Sequence, residues 1–142
     1  MSSPLVVQAR VTVRADAAGV WEAVTDWARQ SEWIWATRVH GGTGIGASVT
    51  GWTGIGPIGF TDTMVITEWD PPRRCVVRHT GRLVRGFGIF EVRADGRTSE
   101  FRWTEDLQLP LPSILGGAAA TVIKPIAQRG LASSMRRFAR LF

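Results

Sequence analysis

Residues 41–60 read GGTGIGASVTGWTGIGPIGF, with a glycine at nearly every second or third place and the tetrapeptide TGIG appearing twice. Such a stretch is either a cradle for phosphate or a set of bends in a sheet. A dinucleotide cradle needs GxGxxG between a strand and a helix, and here GTGIGASV lacks the third glycine and leads into no 3.6-residue apolar period. No glycine here precedes the lysine and hydroxyl residue of a P-loop. The glycines are therefore assigned to hairpin turns and to sharp bends of a strongly curved sheet.

The residues beyond this stretch agree with a sheet. Strand-like runs IGFTDTMVITEW, CVVRHT, LVRGFGIFEVR and TSEFRWTEDLQL succeed one another, separated by DPPRR, by Gly81 and by ADGR at 94–97. These breaks carry turn chemistry, and the whole reads as an antiparallel meander closed by PLPS at 110–113. On the N-terminal side lies a strand within residues 5–14, where Ala9, Val11 and Val13 alternate with Arg10, Thr12 and Arg14. Asp16 then caps a helix expected to reach about Arg29, and QSEWIWATRV forms a single turn into the second strand.

The last segment places Val122, Ile123, Ile126, Ala127, Leu131, Met135 and Phe138 at helical spacing, with Pro125 either starting or kinking the helix. The order strand, helix, turn, six strands, long helix needs no parallel crossover. It predicts an α+β fold with helices on one side of an antiparallel sheet, as one domain over 1–142.

Composition narrows the function classes. Hydrophobic residues at 44% and charged ones at 20% fit a chain that folds around a core. The single Cys75 can form no internal disulfide or two-cysteine metal motif, and with two histidines far apart in sequence no metal site is expected. No cofactor motif and no serine-nucleophile signature is present. The net charge of +5 comes from sixteen arginines and one lysine scattered among acids, a poor footprint for nucleic acid, which is not an expected partner. The N-terminus lacks the pattern of a signal peptide and no apolar run is long enough to span a bilayer, so a cytoplasmic protein without stable membrane insertion is expected.

The segments ADAAGVWEAVTDWARQSEW at 15–33, VITEWDPPRRCVVRHTG at 65–81 and TSEFRWTEDL at 98–107, with the closing basic helix, resemble the START-like, Bet v 1-like (SRPBCC) superfamily. Within it they are most similar to the small bacterial polyketide cyclase/dehydrase and lipid-transport group. The resemblance implies a helix-grip fold, in which a curved seven-stranded antiparallel sheet wraps the long C-terminal helix and leaves a cavity for an apolar ligand. It spans binding proteins and enzymes alike. An aromatase/cyclase of this group would call for a tyrosine in the pocket, and the chain has none.

Alternation nominates the residues that face such a cavity. Glu105 shares a face with Phe101, Trp103 and Leu107; it is either a desolvated general acid or base, or a strand-end acid paired with an arginine or with water. His79 shares a face with Cys75 and Val77, as a second catalytic candidate or as a hydrogen-bonded core or rim residue. With one strand between them, their backbones lie about 10 Å apart, and a direct hydrogen bond is not expected. Trp33, Trp35, Trp52, Met64, Phe87, Phe90, Phe101 and Trp103, with Ile123, Ala127, Leu131 and Met135 on the helix, form the expected ligand wall or else ordinary core. The facing of strand 60–69 is ambiguous, because Asp62 and Glu68 share one side with Met64 and Ile66.

Three functions stand as expectations. The first is binding of one apolar or aromatic, polyketide- or lipid-like molecule. The second is a cyclase or dehydrase reaction using Glu105 and His79. The third is a partner- or membrane-surface role for Lys124, Arg129, Arg136, Arg137 and Arg140 at the basic helix. A homodimer through exposed strands or the helix face is left open.

Overall fold

Alternating apolar residues in the first segment form strand β1 (Ser3–Val13), and the chain then turns into helix α1 (Ala17–Val24). The computed structural model describes the backbone of residues 3–109 and 113–142, and the side chains of 5–108 and 121–142. Asp16 caps α1 as its side chain predicts, accepting a hydrogen bond from the Gly19 backbone N–H at 2.8 Å. The helix stops at Val24, well short of Arg29. The Thr25 hydroxyl and N–H both bond to the Trp21 carbonyl, and a 3-10 turn over Trp27–Glu32 comes next.

Strands β2 (Thr37–Gly41), β3 (Ser48–Ile55), β4 (Ile58–Asp70), β5 (Arg74–Thr80), β6 (Arg85–Asp95) and β7 (Thr98–Leu109) complete a seven-stranded sheet. Its spatial order is β1-β7-β6-β5-β4-β3-β2, every pair antiparallel, so the expected meander closes with β1 beside β7. The glycine stretch supplies the loops 42–47 and 56–57 and the strand β3 between them. Gly56 takes a φ of +59° in the β3–β4 turn. Gly54 and Gly59 face each other so closely, with Trp52 laid across both, that a Cβ on either would meet backbone or indole atoms within 2.7 Å. These glycines serve a tight hairpin, as the sequence suggests.

Register resolves the ambiguous strand. A bulge in β4 between Ile66 and Glu68 shifts the pairing with β5, so Met64 and Ile66 point inward before the bulge and Trp69 after it. No single alternation could describe such a strand.

Helix α2 (Ser113–Ala139) begins well before Pro125 and runs through it. The PLPS stop lies largely outside the described residues, at 110–112. Among the described side chains of α2, those of its second half pack into the core, where Leu131 joins it and Met135 and Phe138 are fully buried. Val122 and Ile126 are exposed. Alongside β1, the Gln128 side-chain amide accepts from the Gln8 N–H at 3.2 Å and donates to the Gln8 carbonyl. Arg137, expected on the polar face, instead donates from Nε to the Trp33 carbonyl at 3.2 Å and is half-buried.

The core lies where α1, the 3-10 turn and the end of α2 meet the concave face. Trp33 is its centre, in edge or tilted contact with Phe90, Phe101, Trp103 and Phe138. The Ser99 hydroxyl donates to the Ala15 carbonyl and ties α1 to the start of β7, and Trp27 Nε1 donates to the Gly42 carbonyl and ties the 3-10 turn to the β2–β3 loop.

Candidate functional site

Beyond that aromatic core the concave face is hollow. A cavity of about 230 Å³ extends across β2 to β7, walled by apolar side chains including Ile34, Val39, Val49, Met64, Val77 and Phe90. Asp62 from β4, His79 from β5 and Glu105 from β7 line the same space. They are joined. His79 Nδ1 lies 2.9 Å from Asp62 Oδ1, and His79 Nε2 lies 3.0 Å from Glu105 Oε2.

The expectation that an intervening strand keeps His79 and Glu105 apart is overturned. Register places His79 opposite Gly86 and Glu105 opposite Gly88, so the strand between them presents no side chain to the cavity at either position. Each long side chain reaches inward over the bare backbone until they meet. A Cβ on Gly88 would stand 3.1 Å from Glu105 Oε1 and 3.2 Å from Oε2, tighter than ordinary packing. Gly88 thus makes the contact possible.

Burial opposes charge on His79, but hydrogen bonds to Asp62 and Glu105 and the charge of both carboxylates outweigh it, and its pKa is pushed up to about 10. His79 is therefore an imidazolium at neutral pH, donating Nδ1–H to Asp62 and Nε2–H to Glu105. Glu105 Oε1 also accepts from Trp103 Nε1 at 2.8 Å. Neither carboxylate is paired with an arginine among the described residues, and their side chains are only 19% and 14% exposed. Cys75, also on the wall, is kept a thiol by burial, with a pKa pushed up to about 12. No group of three or more His, Cys, Asp or Glu side chains among the described residues is placed so that it could hold a metal ion.

The other nominated residues divide. Met64, Phe90 and Trp103 line the cavity. Trp33, Phe101 and Met135 are buried in the solid core, where Leu131 packs against them, and they do not line it. Ile123 and Ala127 are half-buried on α2 away from its wall. Trp35 is 61% exposed and Phe87 is 43% exposed, and neither borders the cavity. Phe87 is on β6 between Gly86 and Gly88, so alternation sends it to the convex side. Trp52 also faces outward, with the Arg38 guanidinium 5.1 Å from its ring. Asp62 is missing from the residues nominated by sequence, and its alternation with Met64 and Ile66 is the signal that could have found it.

A curved seven-stranded antiparallel sheet, a half-barrel, with a long C-terminal helix defines the helix-grip class, and the cavity lies on the concave face beside the 3-10 turn, where no described α2 side chain lines it. The chain belongs to the family described as polyketide cyclase / dehydrase and lipid transport, whose model matches residues 4–142. Among solved structures it is similar to the ZhuI aromatase/cyclase from Streptomyces sp. R1128, with a TM-score of 0.76 and 18% identity over 96% of this chain and 92% of that one. It is also similar to TTHA0849 from Thermus thermophilus, with a TM-score of 0.80 and 15% identity over 95% and 94% of the two chains. The di-domain ARO/CYC BexL from the BE-7585A biosynthetic pathway aligns with a TM-score of 0.72 and 16% identity, over 95% of this chain and 45% of BexL. No curated protein matches the chain by sequence. No described helix is long and apolar enough to cross a membrane.

Proposed function

We propose that the protein binds an apolar or aromatic small molecule, polyketide- or lipid-like in character, in the cavity between the concave face of the sheet and the 3-10 turn. The observation that carries this reading is the hollow itself: a space of about 230 Å³ walled largely by aliphatic and aromatic side chains, with His79 and its two carboxylate partners on the wall. The family's description supports the ligand class. Native mass spectrometry of the purified chain, with thermal shift against polyketide-, fatty-acid- and sterol-like compounds, tests it. A bound apolar compound or a shift that Met64→Trp abolishes is the expected result. A ligand-free mass with no shift from any compound sinks the reading.

A second reading, a cyclase or dehydrase reaction, is favoured by one observation: Glu105 holds a carboxylate only 14% exposed against both an imidazolium and the cavity. In that reading Glu105 takes a proton from carbon beside a carbonyl, and the resulting enolate carbon forms a bond to a second carbonyl carbon. Protonated Glu105 no longer holds His79 Nε2–H, which then protonates the new alkoxide. Loss of turnover with unchanged ligand affinity in Glu105→Gln distinguishes this enzyme from a carrier.

A further inference from the structure

The hydrogen-bonding inventory of the cavity is one-sided. Among the described wall residues, Trp27 Nε1 is committed to the Gly42 carbonyl and Trp103 Nε1 to Glu105. Thr37 bonds to the Trp35 carbonyl and to Thr53, which occupies both hydroxyl hydrogens. His79 gives its two N–H groups to Asp62 and Glu105. One amide hydrogen of Gln30 goes to the Val24 carbonyl, leaving its second and the weak Cys75 thiol as the uncommitted side-chain donors.

Acceptors are in surplus. Each carboxylate offers about four lone-pair directions, and only three N–H groups reach the two of them. On Asp62 it is Oδ1 that meets His79, and Oδ2 receives no hydrogen bond from the described residues. Two carboxylates around one imidazolium also leave the cluster with net negative charge, in a space where water screens poorly.

Resting on the reading of this cavity as a small-molecule site, we propose that it selects a neutral or cationic compound of one or two rings that carries a hydrogen-bond donor, an O–H or N–H, and that it rejects carboxylates. The donor group docks on Asp62 and Glu105, and the rings lie against Met64, Val77 and Phe90. The size follows from volume: a dry cavity of about 150 Å³ holds one benzene ring, so 230 Å³ takes one ring with substituents or two fused rings. Among the described wall residues, a ligand anion would meet two carboxylates and no free cation, since His79 is already bonded on both sides.

Isothermal titration of the full chain at pH 7 with 2-naphthol, 2-methoxynaphthalene and 2-naphthoate tests this with a constant ring system. The expected order places 2-naphthol about tenfold or more tighter than the ether, as suits a hydrogen bond to a charged acceptor, and the carboxylate weakest. Asp62→Asn, verified as folded by circular dichroism, narrows the gap between naphthol and naphthoate. If the ether or the naphthoate binds as tightly as the naphthol, the donor rule is overturned and the cavity reading stands. If none of the three binds while a larger apolar compound does, the size and donor assignment are overturned together. No binding by any compound overturns both readings.

Discussion

The concave face of the sheet has two halves built on the same strands and filled in opposite ways. In one, Trp33, Phe90, Phe101, Trp103 and Phe138 meet with ring centroids 5.0 to 6.2 Å apart. In the other, inward positions carry Gly51, Gly86 and Gly88 and the space is left to Asp62, His79 and Glu105. Strand β6 crosses from one to the other through Gly86, Gly88, Phe90 and Val92. Side-chain volume along a single strand therefore separates a solid core from a chamber, with the packed rings in the first and the ionisable groups in the second.

Truncation should expose that asymmetry most strongly. Phe138→Ala removes a fully buried ring from the solid half and is expected to cost about 3–5 kcal/mol in urea unfolding. Met64→Ala, which enlarges a space already present, is expected to cost less than half as much. Equal losses would mean that both halves bear the fold alike.

A smaller effect lies in the pH dependence of the hollow half. His79 has its folded pKa raised from 6.5 to about 10, so between those values the folded chain holds a proton that the unfolded chain has lost. Its contribution is fully present below about pH 6.5. Stability then falls by at most about 1.4 kcal/mol per pH unit as pH rises toward 10. Denaturation series at pH 7, 8 and 9 should show this slope in the wild type and lose it in His79→Asn. A wild type flat over this range would dissolve the ionic cluster.

The smallest effect belongs to neither half. Arg38→Ala on the convex face loses a partly exposed cation–π contact with Trp52, worth about 0.5–1 kcal/mol in thermal unfolding. Ligand affinity should not change, and a change would place Trp52 in the site after all.

Much of this architecture was legible because its signals are local. Asp16 announced a cap, ADGR a hairpin, and the alternation of Phe101, Trp103 and Glu105 a face. Two features depended on neighbours that a linear reading does not supply. The β4 bulge reverses the phase of one strand after Ile66, so that the inward face of Asp62, Met64 and Ile66 does not continue to Glu68. The reach of Glu105 to His79 depended on what Gly88 lacks, and two glycines in β6 read equally well as curvature or as space. The aromatic wall was overdrawn for a related reason: apolar character does not say which layer a residue fills, so Trp33 and Phe101 went to the core while Trp35 and Phe87 went to solvent.

The two hydrogen bonds between Gln128 and the backbone of Gln8 bear on self-association. A strand with only one neighbour offers its outer N–H and carbonyl groups as a template on which another chain can polymerise. At Gln8 both groups are occupied by an amide shaped like a peptide bond, so α2 terminates the sheet there in the manner of a one-residue eighth strand. At the opposite border β2 is only five residues long and packs beside the 3-10 turn. A dimer made by joining sheets through β1 would have to displace Gln128 first.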